Sequence, residues 1–313
     1  MRTSTRAQGR RPALPAALTA LWRIPSARVA LLVLAGIAFL AVFGEALAPH
    51  DPIKQYTDEV LQGPSAAHLL GTDYVGRDVL SRLMAGTRLS VLGAVEAVLI
   101  GAALGVPTGL ASVWLGPRLE WISLRISDTL VILPFTVFAI AVAGTLGNGL
   151  QQAMIAVGVL ISPTFYRITR SVALGLRKAQ YVEAAELMGA TEWWTLRTHI
   201  WSKVLPNVAV TSAQATGSAL LVVASLSFLG LGVTPPAPTW GGMLSADLGY
   251  LAQQPWAPIF PVALMMATVG SLNLLADAIR DVTGAAPRRR RRRRRGISHV
   301  PAPRKEQHDV VPV

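Results

Sequence analysis

Apolar residues along the chain gather into six blocks, at about 28–48, 89–114, 122–146, 150–170, 207–232 and 258–280. A hydrocarbon core of about 30 Å takes roughly 20 helical residues to cross, so the pattern predicts six membrane-crossing helices. The alternating segments of about ten residues that a membrane β-barrel needs are missing. The expected class is all-α and integral to a membrane.

Finer periodicities refine this outline. In "HLLGTDYVGRDVLSRLMAGTRLS", His68 to Ser90, a turn at Gly71, Thr72 and Asp73 leads into an amphipathic stretch with Val79, Leu80, Leu83 and Met84 on one face. This reads as an interfacial helix preceding the second span. The second span carries Gly93, Ala97, Gly101, Gly105 and Gly109, a small residue at every fourth position. Such a stripe is a surface for close helix approach, with a partner in this chain or in another. Between the fourth and fifth blocks lies "YVEAAELMGATEWWTLRTHIWSKVLPN", Tyr181 to Asn207, polar and rich in tryptophan. A helical wheel places Tyr181, Ala184, Ala185 and Met188 on one face and Glu183 and Glu186 on the other. Gly189 permits a sharp turn, and "TEWW" begins a second short helix whose Trp193, Trp194 and Trp201 suit a membrane–water interface. Two short helices joined at a glycine look like a docking element.

Composition agrees with the pattern. The 313 residues are 52% hydrophobic and 15% charged, against about 25% charged in ordinary soluble domains, and the mean hydropathy is +0.45. The first block, with basic residues before it and "ALA" at Ala46 to Ala48 after it, mimics a signal peptide. Its basic and apolar regions are both too long for one, so it reads as an uncleaved span. Without cysteine there is no disulfide framework and no thiolate chemistry.

The net charge of +12 raises the question of a nucleic-acid partner, and its placement answers it. Residues 1–28 hold six arginines and no acids, and Arg288 to Arg295 form one run. Basic flanks face the cytoplasm, so both termini are expected inside. The 49–88 and 233–257 segments then lie outside, carrying four basic residues (Lys54, Arg77, Arg82, Arg88) and six acidic ones. The octa-arginine run reads as a solvated tail that fixes orientation or touches anionic lipid, where each basic residue gains on the order of 1 kcal/mol. Membrane lipids, and no nucleic acid, are the expected partners of this charge.

Ionisable residues inside lipid are functional candidates. Asp128, one turn after Arg125, and Asp277, three residues before Arg280, could pair locally. Glu96 has no obvious partner; it would line a pore or snorkel to the interface.

The chain resembles the permease subunits of ABC importers, in the dipeptide, oligopeptide and nickel group of the DppC/OppC type. Glu183-Ala184-Ala185, three residues, then Gly189 matches that superfamily's cytoplasmic signature. "HLLGTDYVGRDVLSRL", "SLSFLGLGVTPPAPTWGGML" (Ser225 to Leu244) and "NLLADAIRD" (Asn273 to Asp281) follow the family's order and spacing, over about residues 30–284. The resemblance implies a type I ABC importer transmembrane domain. The expected division of the chain is a basic cytoplasmic N-terminus (1–27), a first helix (28–48), an external loop with an amphipathic segment (49–88), five further helices within 89–284 with a coupling loop at about 175–206, and an arginine-rich disordered tail (285–313) that is not a family feature. It implies that Glu183, Ala184, Ala185 and Gly189 dock into a groove on an ATPase subunit. The implied partners are a second homologous permease, two cytoplasmic ATPases that bind ATP and magnesium, and an external substrate-binding protein.

Two departures stand out. Ser202 occupies the family's usual proline position, with Leu205-Pro206-Asn207 one turn later, so the second docking helix is expected to run one turn longer before proline stops it. Val223 replaces a glutamate that close relatives often carry in the fifth span. No GxxxxGK[ST] phosphate loop occurs, so ATP hydrolysis is expected from partners and no cofactor is expected in this chain. The rival readings are a proton-driven transporter using Glu96 and Asp128, and a scaffold using the arginine tail. Short peptides are the first substrate expectation, with nickel or another small solute behind.

Overall fold

The computed structural model describes residues 20–147 and 149–283, so most of the basic N-terminal segment and the whole octa-arginine run lie outside the described residues. Among the described residues the chain is helical, with one isolated β-bridge between Thr72 and Asp78. The first helix, α1 (Pro25–Phe43), starts on a proline whose missing N–H costs nothing in a first turn.

Helix α2 (Val79–Trp114) has 36 residues. The amphipathic stretch expected as a separate interfacial helix is the beginning of this span. Asp78 sets the start, its carboxylate accepting from the Ser81 N–H at 2.8 Å, and no proline interrupts the chain before Pro107.

The third apolar block is broken. It forms α3 (Pro117–Ile132) and α4 (Phe135–Leu146), bent by 98°. Pro134 offers no N–H and pushes the residue before it out of the helical region, and Leu133 accordingly sits at φ −63°, ψ 125°.

Helix α5 (Leu150–Arg177) extends a full two turns beyond its predicted end. Among the described residues four helices are long and apolar enough to cross a membrane: α1, α2, the helical run Glu192–Phe228 and the last helix, Ile259–Thr283. The bent α3–α4 pair makes a fifth. The expected count of six is reached only with α5, whose 28 residues span about 42 Å but carry Gln151, Gln152, Arg167 and Arg170.

Two short helices follow α5: α6 (Gln180–Leu187) and α7 (Glu192–Thr195). A π-turn at Leu196–Ile200 joins α7 to α8 (Trp201–Phe228). Pro206 lies inside α8 and does not stop it. The second docking helix and the fifth span are therefore one continuous element of 37 residues. The chain closes with α9 (Trp240–Leu248) and α10 (Ile259–Thr283).

The core is built on the small-residue stripe of α2, and its partner is α5 of the same chain. A Cβ at Gly93 would meet Met154 Sδ at 3.1 Å, one at Gly105 the Ser162 carbonyl at 2.3 Å, and one at Gly109 the Tyr166 carbonyl at 2.7 Å. On the facing helix, Gly158 admits Ile100 and the Ala97 carbonyl in the same way. The order of these contacts makes α2 and α5 run parallel. In lipid such packing is held by dispersion and close backbone approach rather than by the hydrophobic effect. Ala97, Val98, Val106, Met154, Val157 and Phe165 fill the seam, and Leu220, Val223 and Leu226 of α8 close it.

Candidate functional site

The element expected to dock on a partner is shaped by local backbone chemistry. Helix α6 ends where Gly189 adopts φ +88°. Its N–H donates to the Glu186 carbonyl at 2.9 Å, while the Ala190 N–H reaches back to the Ala185 carbonyl at 3.0 Å. These are the paired bonds of a Schellman cap, which turns the chain sharply. Space around Gly189 is open, so the glycine is required by its dihedral and not by crowding. Two residues on, Thr191 caps α7, its hydroxyl accepting from the Trp194 N–H at 3.3 Å. The turn thus presents Leu187 (84% exposed), Met188 (83%) and Trp193 (70%) outward.

The predicted face of α6 is split. Val182 and Ala185, one turn apart, are buried and anchor the helix to its own chain, while Ala184 and Met188 are exposed beside Glu183 and Glu186. Ala185 therefore faces inward, and Ala184 is the alanine available to a partner. No hydrogen bond or ion pair among the described residues holds the Glu183 carboxylate. One contributor has no sequence signal: the His199 ring lies edge-on between Tyr181 (5.7 Å) and Trp194 (5.1 Å), tying α6 and α7 to the π-turn.

The intramembrane candidates are paired, and two of the partners differ from expectation. Gln151 Nε2 donates to Glu96, linking α5 to α2. Asp128 pairs with Arg167 of α5 at 2.7 Å, across helices, and not with Arg125. The same face of α5 sends Arg170 to Glu120, and the Tyr166 hydroxyl lies 2.9 Å from Ser123 Oγ. Helix α5 is polar because it cross-links α3. Asp277 lies 3.5 Å from Arg280. Val223 sits in the apolar core.

At the other end of the molecule, segments 44–78 and 229–258 form a cap. Asp73 organises it, accepting from the Val75 and Arg77 N–H groups and pairing with Arg77 Nε at 2.8 Å. Arg82 Nη1 donates to the Pro52 and Pro236 carbonyls, and Gln254 Nε2 donates to those of Gln62 and Thr72. Trp240, fully buried, donates its backbone N–H to Ser90 Oγ at 3.0 Å and its Nε1–H to the Leu83 carbonyl at 3.3 Å, both on α2. His68 sits between Asp78 and Glu59, 2.8 Å from each. Burial opposes its charge, but the two carboxylates outweigh that and hold its pKa above the ordinary histidine value.

A cavity of about 230 Å³ opens in the cap, lined by Asp73, Tyr74, Arg77, Arg82 and Asp247 among others. One carboxylate oxygen of Asp247 is buried there without a hydrogen-bond partner. Burial chiefly, with Asp73 nearby, pushes its pKa from 3.8 up to about 6. The folded state therefore keeps a proton that the unfolded chain has lost, and stability falls as pH rises from about 4 to about 6. Asp247→Asn should raise the thermal midpoint of the purified chain at pH 7.5, by the equivalent of roughly 2 kcal/mol. The gain should disappear towards pH 4. Equal midpoints at pH 7.5 would mean that the carboxylate is not strained.

Comparison with known proteins bears on the family and the fold. Residues 77–289 match the family described as binding-protein-dependent transport system inner membrane component. Residues 16–64 match the N-terminal transmembrane domain of oligopeptide transport permease C. The chain is 37% identical over 251 residues to the glutathione transport system permease protein GsiD of Pectobacterium atrosepticum, covering 80% of this chain and 82% of that protein. It is also 37% identical over 243 residues to the probable D,D-dipeptide transport system permease protein DdpC of Escherichia coli, covering 78% and 82%. Among solved structures, the fold matches an inward-facing MetNI methionine ABC transporter chain with a TM-score of 0.55 at 19% identity, covering 64% of this chain and 96% of that one.

Proposed function

Because the chain belongs to the family of binding-protein-dependent transport system inner membrane components, we propose that it forms half of a translocation pathway for short peptides, driven through the element at Glu183. It is a multi-pass inner-membrane permease subunit of an ABC importer that works with ATPase and binding-protein components. The finer assignment is a heterodimer with a second permease, served by two ATPases that hold the ATP and magnesium. The relatives named for glutathione and D,D-dipeptide transport support a short-peptide substrate. The alternating helix directions put the starts of α1 and α8 and the end of α10 on the side of the docking element, which supports both termini being cytoplasmic together with it.

One observation carries this reading: the Schellman turn at Gly189 projects an unpaired Glu183 and an exposed apolar knob from an end otherwise built of packed helices. ATP-driven closure of the ATPases would push this element and bias the spans between inward- and outward-open states. The proton-driven alternative is weakened because Glu96 and Asp128 are both already engaged.

With no cysteine in the chain, Ala184→Cys supplies a single exposed thiol. It should crosslink to a cysteine placed in the docking groove of the ATPase, with a yield that changes on adding ATP. Absence of any crosslink in the assembled transporter would reject the docking assignment.

A further inference from the structure

In the cap, three side chains from three separate segments converge: His50, beyond the end of α1; His68, in the following loop; and Asp78, the residue that caps α2. The geometry points to a binding site for one divalent transition-metal ion of the zinc class, held by His50 Nδ1, His68 Nδ1 and Asp78 Oδ1. These atoms all lie within 4.8 Å of one another. The His68–Asp78 separation is 2.8 Å and the His50–Asp78 separation 3.8 Å. Ligand bonds of about 2.0–2.1 Å at tetrahedral angles require separations near 3.4 Å, so the two pairs that include Asp78 need to move by about half an ångström, and the two histidine nitrogens, within 4.8 Å of each other, close the remaining gap by rotation of the more exposed His50 ring.

The site is built beyond its three ligands. His68 presents its other nitrogen to Glu59 Oε2 at 2.8 Å, the carboxylate–histidine arrangement that fixes the ring of a metal ligand and raises its basicity. The second oxygen of Asp78 accepts from the Ser81 N–H at 2.8 Å and from its hydroxyl at 2.6 Å. The same hydroxyl accepts from the backbone N–H of His50 at 3.0 Å. Ser81 thereby holds two of the three ligating residues. The rings of His50 and His68 lie 4.7 Å apart, with Tyr56 packed against both.

His50 supplies the observation that a purely structural reading leaves unanswered. Its Nδ1 is buried and has no hydrogen-bond partner, although it faces Asp78 Oδ1 at 3.8 Å, beyond hydrogen-bond reach. A buried imidazole nitrogen left in this state carries a desolvation penalty that nothing repays. A cation between the three atoms satisfies it. The ion takes the place of the proton between His68 and Asp78, which leaves to solvent. Two nitrogens and one oxygen suit Zn²⁺, Co²⁺, Ni²⁺ or Cu²⁺ and disfavour Ca²⁺ and Mg²⁺. The His50 side chain is 28% exposed while those of His68 and Asp78 are 4% and 2%. Entry is therefore from the His50 side, where a water completes the coordination. Bound there, the ion ties the segment after α1 and the 59–78 loop to the first turn of α2.

The test uses the full chain, purified without a polyhistidine tag and with the tail histidines His299 and His308 replaced by Gln, titrated with Zn²⁺ and with Co²⁺. One ion should bind per chain, and Co²⁺ should develop the strong visible bands of a low-coordinate nitrogen and oxygen site. His50→Ala, which removes no hydrogen bond of the side chain, should weaken binding at least tenfold, and Glu59→Gln by about 10- to 100-fold. Without metal, thermal unfolding should show His50→Ala still fully folded at the titration temperature although its ring contacts with Tyr56 and His68 are gone, which separates loss of the ligand from loss of the fold. No binding, or equal affinity in wild type and His50→Ala, would overturn the assignment.

Discussion

Gly105→Leu is expected to abolish accumulation of folded protein. A Cβ alone at this position would stand 2.3 Å from the Ser162 carbonyl, 2.7 Å from Phe165 Cβ and 2.9 Å from the Tyr166 N–H. Two of these three are backbone atoms, which have no rotamer by which to yield. Overpacking a core ordinarily costs about 1–3 kcal/mol. Here a whole isobutyl group must force α2 and α5 apart along a seam that the four other small residues of the α2 stripe keep closed, against a total stability of only about 5–15 kcal/mol for a typical domain. The measurement is the size-exclusion profile of the detergent-extracted chain, which should lose its monodisperse peak. Gly36→Leu serves as the comparison, because a Cβ on that residue of α1 meets nothing within 4 Å; it should behave as wild type. If Gly105→Leu also gives a normal peak, the α2–α5 seam is not the core of this protein.

The second large effect is functional and should leave the fold intact. Glu183→Ala removes a side chain that is exposed and unpaired within the chain, so the thermal midpoint should stay within the ±0.5 kcal/mol typical of surface substitutions. Truncating one member of a partly desolvated pair across an interface costs about 2–5 kcal/mol, which amounts to roughly 30- to 5,000-fold in association. Stimulation of ATP hydrolysis by loaded binding protein should therefore be lost in reconstituted transporter. Gly189→Val attacks the same element differently: φ of +88° is costly for a β-branched residue, so the Schellman turn would rearrange and move Leu187 and Met188. Survival of both stimulation and transport in the double variant would sink the coupling role.

Much of this architecture is written in local patterns. Apolar run length located all the long helices, because crossing a bilayer imposes one length on every span. The four-residue stripe in α2 showed a close-packing surface, yet could not show that α5 is the partner, since any helix with a matching groove would serve. The break at Leu133-Pro134 was legible in principle: a proline in the middle of block 122–146 announces it, and averaging hydropathy over the block conceals it. Pro206 shows the reverse case. The rule that proline ends helices fails where it falls in the early turns of a long span whose neighbours hold the backbone in place. In the docking element, the turn followed from Gly189 alone, whereas the inward placement of Ala185 depends on how α6 rests on the rest of the chain. The roles of His199, and of Gln151 opposite Glu96, rest on tertiary contacts between residues 18 and 55 positions apart.

The unbroken run from Glu192 to Phe228 also has a mechanical meaning. At 1.5 Å per residue it is a rod of about 55 Å, with the proposed docking surface at its near end and the cap cavity beside its far end, where Ser227 and Phe228 contribute to the lining. A rod transmits tilt without loss, so a small displacement beneath Trp194 becomes a larger one at the cavity mouth. The exception is any joint of lower stiffness. The π-turn at Leu196–Ile200 and Pro206, which has no N–H to donate to the carbonyl four residues earlier, place two such joints within the first fifteen residues. In the proposed coupling, the stroke delivered to the far end is therefore set by how rigid those fifteen residues are, and residue choice between Leu196 and Pro206 would tune the gearing between the two ends.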